Sequence, residues 1–250
     1  MLEWLYIQPD LLLFAVAAAL YVHDLATPLS ANEILIYRSG TGTWVARTAS
    51  QCREFGKRYL AFVRPLQPGT TIVRATWPRT LLDDADRGQA LGGAVCDVER
   101  RLRFLRYQST LLLLAIFAGL PFLCIFFGAT ALLAGIALVY AQALVMVASL
   151  LAKRRKLNLP WRSIAFILFE SLICIPCAIN LYRKIADRLL PIGADPIDLA
   201  EALLDAERSA LLRRDLLQSL DQRIALSNGR DAKQNRLRRY RHRLLEQGAA

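Results

Sequence analysis

Histidine is almost missing from this chain. His23 and His242 are the two in 250 residues, far apart and completing no metal-ligand spacing. No G-x-S-x-G, H-E-x-x-H or paired-cysteine zinc pattern occurs, which removes the common hydrolase and zinc readings. The five cysteines, Cys52, Cys96, Cys124, Cys174 and Cys177, are too few and too scattered for a disulfide scaffold. Their odd number leaves at least one thiol unpaired within the chain. No solenoid-length repeat and no low-complexity tract is present. Residues 1–8 lack a positive n-region, and Ala17-Ala18-Ala19 leads into apolar residues and His23. The N-terminus is therefore expected to stay on as an anchor rather than be cleaved.

What is abundant is apolar surface and positive charge. Hydrophobic residues make up 55% of the chain, against about 45–50% in soluble domains. The excess sits in a few long runs, which points to a membrane protein. The formal charge is +11, from 32 Lys and Arg against 21 Asp and Glu. Beside apolar runs, such a balance suits cytoplasmic loops meeting anionic lipid better than nucleic-acid binding.

The runs divide the chain. Residues 1–23 read as an N-terminal membrane anchor, with Leu11–Val22 as its apolar core; a surface helix is the alternative. Residues 24–80 read as a small β module. Its first hairpin is Glu33–Arg38 with Trp44–Thr48, joined by Ser39-Gly-Thr-Gly-Thr43. Its second strand pair is Tyr59–Val63 with Thr70–Trp77. The Gly-Thr-Gly turn superficially resembles a phosphate loop but lacks the G-x-x-x-x-G-K-[ST] pattern. Residues 81–108 read as a linker followed by an amphipathic helix. Residues 109–151 hold two uncharged stretches of about 19 and 23 residues divided by Gly128, the expected transmembrane helical hairpin. Residues 152–184 give a basic loop and a polar fourth helix over 164–182, either crossing the membrane or lying at its face. Residues 185–250 read as a soluble helical hairpin with a coiled-coil-like seam at Leu199, Leu203, Ala206, Ala210, Leu217, Leu220 and Ile224.

Three groups of residues invite a chemical reading. Cys174-Ile-Pro-Cys177 lets two thiols meet across one turn and is a redox candidate, although an apolar run raises thiol pKa values. The bland reading is two small side chains in a membrane helix. Glu170 stands at i to the i+4 and i+7 of Cys174 and Cys177, so one continuous helix would present all three on one face. A carboxylate at that depth is a proton or cation candidate by default. Metal binding by Glu170, Cys174 and Cys177 is a further reading, but no metal and no cofactor is expected. The third group is basic. Arg100 and Arg101, then Lys153-Arg154-Arg155-Lys156, flank the hairpin and mark both ends as cytoplasmic. Arg230, Lys233, Arg236, Arg238, Arg239, Arg241 and Arg243 form a block in the tail suited to lipid headgroups or a protein partner, with nucleic acid the least suited.

Cys174-Ile-Pro-Cys-Ala-Ile-Asn-Leu-Tyr-Arg-Lys184 resembles a segment of an uncharacterised set of bacterial integral membrane proteins, C-x-P-x-A-x-N-L-x-R-[KR], which follows a hydrophobic hairpin. The resemblance covers 11 residues. It implies that Cys174, Pro176, Asn180 and Arg183 belong to the pattern and Cys177 does not, which counts against a redox pair. It implies no activity.

The sequence thus leads to an α-helical integral membrane protein with a small cytoplasmic β module and a C-terminal helical hairpin. It would be multi-pass in the inner (plasma) membrane, with its N-terminus outside. Its expected role is non-enzymatic, an accessory or scaffold protein holding cytoplasmic modules at the lipid bilayer, with a protein partner on the tail. The alternatives are a thiol oxidoreductase using Cys174 and Cys177, and a small transporter subunit with Glu170 as its ion site.

Overall fold

The computed structural model describes residues 9–39, 41–55, 58–76, 87–157, 159–190, 195–226 and 232–249. The chain divides into two units: 1–27 with 62–70 and 98–189, and 28–61 with 71–97 and 190–250.

The long apolar run organises the first unit. Helix α3 (Arg103–Leu114) passes through a widened π turn at Ala115–Gly119 into α4 (Leu120–Lys153). The π turn ends two residues before Pro121, whose ring crowds the preceding turn and which lacks a backbone donor. Gly128 then breaks the helix at φ 75, ψ −169, a conformation open to glycine. In a straight helix, residues 120 and 135 would stand roughly 22 Å apart. Here a Cβ on Gly135 would come within 2.7 Å of side-chain carbons of Leu120 and Leu123. The chain therefore folds back on itself at Gly128, and Gly135 lets the arms approach.

The remaining apolar runs are short and pack on this element. Helix α1 (Pro9–Leu25) contributes Tyr21 and Leu25 to its core. The fourth run is split into α5 (Trp161–Ile173), α6 (Ile175–Ala178) and α7 (Leu181–Leu189). Ile164, Ile167, Leu168, Ile179 and Ile185 join the same buried cluster. Thirteen residues of α5 span roughly 20 Å, short of a hydrocarbon core of about 30 Å.

These lengths correct the expected fold class. Among the described residues one helical stretch, Arg103–Lys153, is long and apolar enough to cross a membrane; Leu12–Leu25 and Ile164–Ile173 are shorter apolar helices. Among the described residues the chain forms two units of helices and two small antiparallel sheets with one membrane-length apolar stretch, which replaces the expected α-helical multi-pass integral membrane fold. Composition misled because apolar residues in α1, α5, α6 and α7 are used in a packed core as well as at the surface.

The second unit carries the sheets. One has the strand order β3 (Trp44–Thr48), β2 (Glu33–Arg38), β6 (Ile72–Thr76). Tyr37 stands opposite Val45 on one side and Ile72 on the other. As the central strand, β2 buries Ile34, Leu35, Ile36 and Tyr37 on both faces, hence its unbroken apolar run. The other sheet has the order β1 (Ala26–Leu29), β5 (Arg58–Phe62), β4 (Arg53–Phe55). The expected pairing of 59–63 with 70–77 is therefore corrected: β5 pairs with β4 and β6 with β2. The segment between them, where Arg64 adopts φ 46, belongs to the first unit. The acidic linker at 81–86 lies outside the described residues; α2 runs Arg87–Arg101.

The tail forms α8 (Pro196–Leu203), α9 (Ala206–Leu226) and α10 (Ala232–Ala249). The expected seam, read from sequence with an interruption at Arg213, is instead broken at Leu204 (φ −91, ψ 156), and Asp205 caps the next helix by accepting from the Arg208 N–H at 2.9 Å. The deeply buried positions of α9 are Leu212, Leu216 and Leu220, a spacing of four rather than the alternating seam read from sequence. Tyr240 of α10 donates to Asp195 Oδ1 at 3.1 Å, the same oxygen that accepts from the Ile197 N–H at the start of α8. Burial first, then Asp195, raises the Tyr240 phenol well above its ordinary value, so it stays a donor at neutral pH. Tyr240→Phe is expected to cost about 1 kcal/mol, seen as a lower urea midpoint at unchanged m-value.

Candidate functional site

The first unit contains a compact charged cluster beside its disulfide. The helix that sequence periodicity runs through 164–182 is broken at Cys174 (φ −114, ψ 87), two residues before Pro176. Proline lacks an N–H and cannot sit in an uninterrupted helix, but it is well placed in the first turn of α6. The shared face expected for Glu170, Cys174 and Cys177 on one continuous helix is thus replaced by a corner. That corner joins Cys174 and Cys177 as a disulfide with a Cα–Cα distance of 5.3 Å, inside the usual range. Cys174 is half-buried and Cys177 buried.

Lys184 of α7 bridges two carboxylates: its Nζ lies 2.7 Å from Asp24 Oδ1 and 2.9 Å from Glu170 Oε1. Asn180 donates from Nδ2 to the other Asp24 oxygen at 3.0 Å. Cys177 Sγ and oxygens of Asp24 and Glu170 lie within 4.8 Å of one another. Such a triad has metal-ligand geometry. Two facts oppose a metal here: the Lys184 ammonium already occupies the cation's place, and a disulfide sulfur is not a thiolate.

Arg183 points the other way and is 9% exposed. Its Nη2 donates to the backbone oxygens of Arg64 and Gln67, each at 2.8 Å. Tyr21 donates to the Pro65 oxygen in the same loop. Burial lowers the Arg183 pKa to about 10, against the pull of Tyr21 and Asp24; it remains a cation at neutral pH. Asp24, Glu170, Arg183 and Lys184 carry formal charges that sum to zero. Sequence periodicity places Lys184 on the same side as Glu170 but misses Asp24 and the loop contacts of Arg183. The available signal was an acid ending one apolar run and two bases ending another.

A cavity of about 420 Å³ opens against the disulfide, walled by Ala17, Ile116, Val139, Tyr140, Cys174 and Pro176 among others, nearly all apolar. No family model, curated protein or solved structure matches the chain. The geometry therefore carries the functional argument alone.

The basic residues separate into two kinds. Arg100, Arg101, Lys153, Arg155 and Lys156 are exposed and Arg154 is half-buried. Arg101 donates to the Lys156 backbone oxygen at 3.3 Å, and Lys153 Nζ sits 3.6 Å from the centre of the Phe104 ring. Arg154 lies over Trp161 at 5.0 Å. In the tail, Arg238 and Arg239 are exposed, whereas Arg241 pairs with Asp221 at 2.6 Å and Arg243 acts on Asp198. Part of the expected docking block is thus occupied within its own unit. Arg236 lies in α10, Arg230 outside the described residues.

Proposed function

We propose that this protein is a scaffold that attaches to the cytoplasmic face of the inner membrane through the long apolar element Arg103–Lys153 and holds its second unit there. The observation carrying this is the meeting of the two basic ends. Arg101 touches Lys156, and Lys153 covers Phe104, while the far end of the element exposes Ile125, Phe126 and Phe127. Water does not favour a tip of this kind, with these three side chains 65–76% exposed. Lipid does, and the cationic ends then lie together at one anionic surface, each basic residue contributing about 1 kcal/mol. The exposed arm residues Leu133 and Leu138 extend the same surface.

Lipid is the first partner in this reading; a protein on the exposed parts of the tail is the second, and no nucleic acid is required. The transporter alternative has less support, because Glu170 is already paired with Lys184.

Reconstituted full-length protein should remain with vesicles through a high-salt and alkaline-carbonate wash. In inverted membrane vesicles, a C-terminal epitope should be lost to added protease, and in intact cells it should be protected. Release by the wash would overturn the attachment; protection in inverted vesicles would overturn the assigned side.

A further inference from the structure

We propose that the Cys174–Cys177 pair and the apolar cavity against it form a redox site for a lipid-soluble two-electron acceptor of the quinone class. This goes beyond the scaffold reading and does not depend on it.

Three observations converge. The pair is closed, with one sulfur half-buried at the cavity wall and the other buried beside carboxylates. The cavity, about 420 Å³, lies within the range of small-molecule sites and is walled almost wholly by carbon, with Tyr140 as its hydroxyl-bearing lining residue. Its rim residues Leu13, Leu20, Tyr140 and Ile173 are exposed and apolar in character. A charged, water-soluble oxidant gains nothing from such walls. A flat apolar ring with carbonyl oxygens gains burial on its faces and a hydrogen bond from Tyr140.

The chemistry balances. A protein dithiol first reduces the pair by exchange and leaves as a disulfide. Cys174, as thiolate, then adds to the quinone ring. Cys177 attacks Cys174 Sγ; the S–S bond forms, the S–C bond breaks, and its electron pair stays on the ring. The dithiol loses two electrons and two protons, and the quinone becomes hydroquinone. The Cys177 proton passes to Asp24 or Glu170, whose oxygens lie within 4.8 Å of its sulfur, and on to solvent, while the two ring oxygens take up two protons from solvent. Lys184, bridging both carboxylates, holds them in place.

The test uses full-length protein with Cys52, Cys96 and Cys124 replaced by serine, so that other thiols form no quinone adducts. The protein is reduced, freed of reductant in detergent, and mixed with decyl-ubiquinone while quinone absorbance and thiols are followed. One hydroquinone should appear for each two thiols lost, and Cys174→Ser and Cys177→Ser should each abolish it. Ala17→Trp and, separately, Val139→Phe should fill the cavity. Each should slow the quinone reaction at least about tenfold relative to oxidation by glutathione disulfide. A wild-type rate no faster than that of Cys177→Ser would overturn the proposal. So would two cavity-filled variants, folded by thermal melt, with an unchanged ratio of the two rates. Detergent removes the bilayer from the experiment, so failure here says nothing against membrane attachment.

Discussion

Leu133→Asp with Leu138→Asp is expected to release the protein from membranes. Both side chains are exposed, at 68% and 70%, so the substitutions remove little packing inside the protein. In lipid the arithmetic differs. Each aspartate within the apolar region costs about 2.5–3.5 kcal/mol and each lost leucine about 0.3–0.6 more. The pair therefore opposes insertion by roughly 6 kcal/mol or more, beyond a 10⁴-fold change in partition. Flotation on a density gradient reads this directly. Serine at the same positions should leave the protein floating, since it introduces no charge. Aspartate variants that float and resist carbonate would show that this face does not enter lipid.

Lys184→Met is expected to be the most destabilising single change in the charged cluster. Methionine keeps the length of the stem but leaves Asp24 and Glu170 facing each other without the ammonium between them. Breaking a fully buried pair costs about 3–5 kcal/mol. Here the side chains of Lys184, Asp24 and Glu170 keep 20%, 11% and 33% of their exposure, so water screens part of the loss. A cost of about 2–3 kcal/mol is expected, a melting temperature lower by roughly 5–10 °C. Adding Asp24→Asn should recover part of that loss, because one of the two orphaned carboxylates becomes neutral. A double mutant no more stable than Lys184→Met would mean that the cluster is not held by charge.

The elements most legible in the sequence are those decided by neighbouring residues. Two short strand-forming runs on either side of a turn-rich loop mark β2 and β3, and a glycine between two uncharged stretches marks the break at Gly128. Partner choice was not legible. Strand β6 has the pattern of a mate for β5, yet it lies on β2, because side-chain alternation specifies faces and not neighbours. The run over 164–182 reads as one helix by hydropathy. Pro176 and the corner at Cys174 divide it, and the corner brings the two cysteines together, with Cys174 in the cavity wall. Asp24 escaped notice since nothing local says that an acid at position 24 will meet a lysine 160 residues later. The fold class failed for a quantitative reason. Apolar runs of 10–14 residues satisfy a packed core as readily as a bilayer, and only their length distinguishes the two.

In the proposed attachment the apolar element Arg103–Lys153 enters lipid with its two basic ends on the same side. Single cysteines at positions 101, 138 and 156, in a chain with its native cysteines replaced by serine, test it through labelling by a membrane-impermeant maleimide in inverted vesicles and in intact cells. Positions 101 and 156 should label together in inverted vesicles and stay silent in intact cells, and position 138 should resist labelling in both until detergent is added. Labelling of 101 and 156 from opposite sides, or of 138 from water in sealed vesicles, would contradict the account.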